Sequence, residues 1–174
     1  MKRHFAIALV TALAAAAAAA ITSGSAYAGT SLSLQLCRGN QISTYVTPDP
    51  LAVVNGQPIS YGDPWHDSMP VRDGDVVRLR ASGSIKVDSW PWGPSFGPSG
   101  SDSERLSTFW GNADFPVYGF YGYFVATEQA FWIGDDSGCV TYHGPDTSLW
   151  LAQNDDNTTD NSGRWDIGIS HYGL

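Results

Sequence analysis

A chain of 174 residues with 17 acidic against 9 basic side chains, a formal charge of −8 at neutral pH, lacks the basic face that nucleic acid requires. With 43% apolar residues, 7 Trp, 8 Tyr, 7 Phe, 19 Gly and 10 Pro, it has material for a core broken by many turns.

In chain order, Lys2 and Arg3 precede an apolar run from Phe5 to Ile21 and the small-residue triplet Ala26-Tyr27-Ala28. That order is expected of a secretory signal peptide cleaved after Ala28. A retained anchor fits less well, because the run is Ala-rich, the cleavage triplet follows it, and nothing later reaches the ~18 apolar residues of a membrane span. Residues 1–28 are therefore expected to be a signal and residues 29–174 one domain of a secreted, extracellular protein. Without Lys2 and Arg3 the balance becomes 7 bases against 17 acids, a formal charge of −10. General acidity serves solubility; only its clustered part points to cation binding.

The two cysteines, Cys37 and Cys139, fall in the mature part. Oxidising conditions outside the cell favour one structural disulfide between them. On the chain-entropy model, closing so long a loop stabilises the fold by roughly 4 to 5 kcal/mol at most. Cys139 and His143 alone make an incomplete zinc set.

Strands are expected at Ser31 to Leu36, then at Val77, Leu79 and Ala81, which alternate with Arg78, Arg80 and Ser82 after the turn-like Arg72-Asp73-Gly74-Asp75. Ser89 to Ser103, rich in Gly and Pro, is expected to be a long surface loop carrying Trp90 and Trp92. Tyr118 to Thr127, Ala130 to Ile133 and Cys139 to Tyr142 are further strand candidates. Leu149, Leu151 and Gln153 alternate with Trp150 and Ala152, and Trp165, Ile167 and Ile169 alternate with Arg164, Asp166 and Ser170. No segment past the signal has helical apolar periodicity, so the fold class is all-β: a single-domain β-sandwich or jelly roll.

Between the last two strands, Asn154 to Asn161 offers side-chain oxygens at eight successive positions, three of them carboxylates: Asp155, Asp156 and Asp160. Hard cations such as Ca²⁺ prefer such ligands. Held close, like charges repel by roughly 3 kcal/mol per pair at 5 Å and an effective dielectric near 20, and a divalent ion reverses that sign. The plain alternative is a solvated hairpin tip in which Asp and Asn serve turn geometry. A helix-flanked EF-hand is excluded, since Asp160 stands where that loop needs Gly and the flanks are strands. Asn157-Thr158-Thr159 also fits the glycosylation sequon, a match that would have no meaning if the chain is bacterial.

Three blocks occur in a telling order: GDVVRLRASG from Gly74, WGPSFGPSG from Trp92, and Leu151-x-x-Asn154-Asp155 followed by Asp160-Asn161-Ser162-Gly163. Together they resemble the PA-IL type of bacterial galactophilic lectin and its galactose-binding-like relatives, over roughly Val71 to Ser170. The resemblance implies a β-sandwich holding one Ca²⁺ that binds sugar hydroxyls directly. It places metal ligands at Asp155, Asp160 and Asn161, with a backbone carbonyl from Asn157 or Thr158 and a second from around Val87. The family's sugar-holding His and Gln have no counterpart here, and its loop is about two residues longer.

An aromatic face can pack on the apolar side of a sugar ring, and Trp90, Trp92, Phe96 and Trp110 are the available platforms. Each could equally be core; Trp90 and Trp92, in a Gly/Pro loop, are the ones expected to be exposed, while Trp150 and Trp165 are expected to be structural. For enzymes, Glu104 and Glu128 form no evident glycosidase pair, and His66, His143 and His171 adjoin no nucleophile motif. The expected function is non-catalytic, calcium-dependent binding of a carbohydrate or glycoconjugate, with Asp155, Asp160, Trp90 and Trp92 touching the ligand. Its rivals are a secreted structural or protein-interaction sandwich that has lost sugar recognition and, third, a secreted glycan hydrolase. Several such sites on a homo-oligomer would add avidity.

Overall fold

The computed structural model describes residues 32–43, 45–46, 51–62 and 69–173. The expected signal segment and His66 lie outside them.

Two strands of 11 residues, β4 (Val76–Lys86) and β12 (Ser162–Tyr172), pair antiparallel along their whole length, from Ser162 opposite Lys86 to Tyr172 opposite Val76. Their period-2 pattern decides the orientation: Val77, Leu79, Ala81, Ile85, Trp165, Ile167 and Ile169 are buried in one core, and Arg80, Ser82, Arg164 and Asp166 face water. β1 (Tyr45–Val46) and β2 (Leu51–Val54) pair with β12, while β5 (Ser95–Phe96) and β10 (Val140–Thr141) pair with β4.

A second sheet runs in the order β3 (Ile59–Tyr61), β11 (Leu149–Gln153), β8 (Phe120–Phe124), β9 (Gln129–Trp132). Phe120, Phe124, Leu149 and Leu151 point from it into the same core. Among the described residues all strand pairings are antiparallel, and the fold is an all-β sandwich, as the alternation predicts.

A third piece covers the outside of the second sheet. β6 (Arg105–Ser107) and β7 (Asp114–Pro116) form a separate hairpin. Its Trp110 packs edge-on against Trp150 at 4.8 Å and approaches Tyr121 and Tyr123 at 6.4 and 6.3 Å between ring centroids. Phe115 meets Tyr121 and Trp132 at 6.2 and 5.7 Å. Trp165 is fully buried, as expected of a structural residue, whereas Trp150 is half-buried in this outer aromatic layer.

Two expectations are corrected. Residues 32–38 are helical (α1), although Ser31 to Leu36 alternates like a strand. Ser33 and Cys37, four residues apart, are buried, and Cys37 packs with Val76 and Tyr172 where the Cys37–Cys139 disulfide ties the helix down. Tertiary anchoring outweighs a weak local pattern there. The stretch Ser89 to Ser103 is also not wholly loop, because Ser95 and Phe96 add an edge strand opposite Lys86 and Ile85. The disulfide itself is as expected. Among the described residues no helix is long and apolar enough to cross a membrane.

Candidate functional site

The acidic loop joins β11 to β12 at one end of the sandwich and contains a single 3-10 turn, Thr158–Asp160. Its flanks are strands, in keeping with the exclusion of an EF-hand. Asn157 caps the turn: its Oδ1 accepts from the Thr159 backbone N–H at 3.3 Å and from the Thr159 hydroxyl at 2.6 Å. Asp155 Oδ1 accepts from the Asn157 N–H at 3.0 Å. Gln57 reaches across from the β2–β3 turn, its Nε2 donating to Thr158 Oγ1 at 2.7 Å and to the Thr158 carbonyl at 3.4 Å.

Beneath the turn, the Asn161 amide is held in one orientation. Its Nδ2 donates to Gln153 Oε1 at 2.9 Å and to Asp155 Oδ2 at 2.8 Å. The opposite atom, Asn161 Oδ1, is buried without a hydrogen-bond donor, and so is Asp160 Oδ1. Asn161 as a whole is only 7% exposed. Folded proteins seldom bury acceptors unpaired, because each costs about 1–3 kcal/mol and more when charged. Two such oxygens occur in the same short loop as the Asp155 carboxylate, and oxygen atoms of this kind are the ligands a hard cation takes. Among the described residues no three His, Cys, Asp or Glu side chains converge on one point, so an ion here would rely on amide and carbonyl oxygens beside two carboxylates.

Asn154, which opens the oxygen-rich run, turns inward instead. Its Nδ2 donates to the carbonyls of Leu106, Phe115 and Pro116 at 2.9, 3.1 and 3.2 Å, clamping the base of the β6–β7 hairpin to the loop. Its backbone N–H and carbonyl bond to Gly119 and Tyr118, each at 2.7 Å. Tyr118 adopts φ 62, a left-handed conformation that costs a non-glycine residue roughly 1–2 kcal/mol. Those bonds and its stacking on Phe96 at 4.8 Å hold it there. Burial, then the charges of Asp155, Glu104, Asp156 and Asp160, raise the pKa of its hydroxyl. The platform expected at Phe96 is therefore occupied by a ring of the protein itself.

Trp90 and Trp92 are 70% and 92% exposed in the β4–β5 connection. The Trp90 N–H donates to Asp88 Oδ1 at 2.8 Å and its carbonyl accepts from Lys86 Nζ and from the Gly93 N–H, so the connection is a built turn. It leaves the same end of the sheet as the acidic loop, through the Ser162–Lys86 pair. Val87, expected near a carbonyl ligand, buries its side chain and donates its N–H to the Pro94 carbonyl at 3.2 Å.

A cleft of about 360 Å³ lies on the other side of Asp155. The β6–β7 hairpin walls it with Leu106, Phe109 and Trp110, Tyr121 and Ala152 floor it, and Asp156 and Thr158 stand on its rim. Sequence reasoning placed Trp110 among the platforms but missed Phe109 and the cleft. The signal available was Gly111-Asn112, whose φ values of 79 and 49 make the hairpin turn.

The two described histidines differ. His171, 2% exposed, uses both ring nitrogens, Nδ1 with the Tyr61 hydroxyl at 3.0 Å and Nε2 with Asp75 Oδ2 at 2.8 Å, leaving none for a serine nucleophile. His143 Nδ1 meets Asp73 at 3.2 Å on the surface.

No protein-family model matches the chain, and no curated protein matches it. The resemblance to the PA-IL type thus rests on the quoted blocks. Among solved structures, one described as the EclA N-terminal domain, a PllA-like lectin, aligns at 13% identity and a TM-score of 0.41, covering 72% of this chain and 99% of that one.

Proposed function

We propose that this protein is an exported, non-catalytic module that binds carbohydrate with the help of Ca²⁺. The ion would be held by Asp155, Asp160 and Asn161 and a backbone carbonyl of Asn157 or Thr158. The observation that carries this reading is the pair of buried, donorless oxygens, Asp160 Oδ1 and Asn161 Oδ1, in a loop that also presents the Asp155 carboxylate. A cation would satisfy both and relieve the repulsion among the acids.

When bound, Ca²⁺ offers coordination sites that sugar hydroxyls can fill in place of water. The chain's own residues do the rest. Gln153 and Asp155 hold the Asn161 amide through its nitrogen, Gln57 braces Thr158, and Asn154 fixes the loop to the hairpin. Exposed Trp90 and Trp92 present faces on which the apolar side of a sugar can pack. Export is supported by the Lys2 to Ala28 segment; a secreted product whose mass begins at Gly29 tests it.

The test is calorimetric titration of the mature protein with Ca²⁺, melting curves in Ca²⁺ and in chelator, then a glycan array under both conditions. Ca²⁺ should raise Tm, and glycan signal should vanish in chelator. A Tm indifferent to both additions overturns the ion and the dependence together. Ca²⁺ binding with an empty array instead favours a structural or protein-interaction sandwich.

A further inference from the structure

The cleft beside the acidic loop has a chemistry of its own. Of its lining residues, Asp155 and Asp156 carry charge and no Lys, Arg or His does. Pro58, Leu106, Trp110 and Ala152 give it apolar walls, and Thr158 and Ser107 add hydroxyls. About 360 Å³ lies at the low end of small-ligand pockets, which run from roughly 300 to 1,000 Å³. Phe109 stands 85% exposed on the edge, held at right angles to Trp110 with centroids 5.4 Å apart. A large aromatic side chain left in water beside a second aromatic and two carboxylates has an unmet use for a partner.

We propose that this cleft binds an amine-bearing sugar ring, a hexosamine with a free ammonium group, whose apolar face lies against Phe109 and Trp110 and whose charge faces Asp156. Two carboxylates without a base repel uronic, sialic and sulfated sugars and attract a cation. Aromatic faces add to that attraction, since an ammonium group is drawn to the ring quadrupole. Neutral sugars gain the stacking but not the charge. The formal charge, −8 for the full chain and −10 without Lys2 and Arg3, acts in the same direction at long range. The proposal deepens the carbohydrate reading by naming the class of sugar. It does not need the ion, because Phe109, Trp110 and Asp156 are not among the proposed ligands; Asp155, which is, adds its charge to the cleft fully only in the absence of the ion.

The experiment is titration of the mature protein with the β-1,4-linked glucosamine trimer, its N-acetylated counterpart and a neutral glucose trimer, each in Ca²⁺ and in chelator. The amine trimer should bind about tenfold tighter than the acetylated one, in chelator as well as in Ca²⁺, and the gap should shrink with added salt. Asp156→Asn should close most of that gap, and Phe109→Ala should weaken the amine trimer about three- to tenfold. Both positions are exposed, so both variants should fold; melting curves check it. Equal affinity for the amine and acetylated trimers overturns the proposal, and so do folded variants that bind like the parent. If a lysine-rich peptide competes at lower concentration than the amine trimer, the cleft serves protein side chains and the proposal fails. Binding of a neutral glycan that is lost in chelator, with no binding of the amine trimer, refutes the cleft while leaving calcium-dependent recognition standing. No glycan binding under any condition defeats both.

Discussion

The side-chain nitrogen of Asn161 donates to Gln153 Oε1 at 2.9 Å, eight residues back along the chain, and this bond sets which way the Asn161 oxygen points. Gln153 is 4% exposed and closes β11, while Asn161 opens the return into β12. The orientation of a loop oxygen is thus decided by a residue inside the sandwich.

Gln153→Leu should therefore weaken Ca²⁺ binding by about 10- to 100-fold although Gln153 is not itself a proposed ligand, the usual effect of losing a group that orients a ligand. Calorimetry on the variant, with Asp155→Ala as the strong-loss control and Asp156→Ala as the weak one, measures it. Unchanged affinity in a folded Gln153→Leu protein would detach the amide network from the ion.

The same network explains Gly56. At φ 72, a Cβ there would lie 2.2 Å from Gln153 Oε1 and 2.7 Å from Asn161 Nδ2. Gly138 also has a positive φ, 64, but a Cβ there meets nothing within 4 Å. Gly138→Ala should show the backbone penalty alone, about 1 kcal/mol, and Gly56→Ala a further ~1–3 kcal/mol from crowding. Urea melts of the two variants give the difference. Gly56→Ala should also lose Ca²⁺ affinity, which Gly138→Ala should keep.

Much of this architecture was legible because it obeys a period of two. Val77, Leu79 and Ala81, like Trp165, Ile167 and Ile169, alternate with polar residues and are the inner faces of β4 and β12. Two cysteines in an expected export context allow one pairing, the one observed. The first segment misled for the same reason: Ser-Leu-Ser-Leu alternates, yet a disulfide and the contacts of Cys37 decide its conformation from outside. At the site, the run of Asp and Asn announced an oxygen-rich loop but not which oxygens would be spent. Asn154 and Asn157 use theirs or their amides on structure, and only three-dimensional packing leaves Asn161 Oδ1 and Asp160 Oδ1 without donors. The cleft was hidden because β6 and β7 have three residues each, too few for a pattern.

The buried trio of Tyr61, His171 and Asp75 gives a stability prediction distant from the loop. The Asp75 carboxylate also accepts from the Arg72 N–H at 2.8 Å, and His171 lies opposite Val77 in the long pairing of β12 with β4. His171→Phe keeps a ring but removes a hydrogen-bond partner from Asp75 and from Tyr61, both nearly buried. The loss should be on the order of 3 kcal/mol. Chemical denaturation reads it, and Ca²⁺ affinity of the folded variant should be unchanged. A loss under about 0.5 kcal/mol, typical of surface substitutions, would show the trio to be incidental.

Asp136 predicts how stability responds to acid. Arg78 grips it with Nε–Oδ1 at 2.8 Å and Nη2–Oδ2 at 2.5 Å, Arg80 Nε adds a contact at 3.2 Å, and the Gly138 N–H donates at 2.9 Å. The hydrogen bonds to Arg78 come first in holding its carboxyl well below the ordinary carboxylate range; burial opposes them, and Gly138 and Arg80 reinforce them. A depressed folded pKa means that the unfolded chain binds this proton first, so the stabilisation is complete above the ordinary Asp value of about 3.9. It is lost as pH falls from there through the folded pKa. Asp136→Asn should therefore flatten the dependence of unfolding free energy on pH below about pH 4, relative to the parent, in urea titrations at closely spaced pH. The side chain is 36% exposed, and solvent screening keeps the effect modest. An acid slope in Asp136→Asn as steep as the parent's would show that Asp136 has no special part in it.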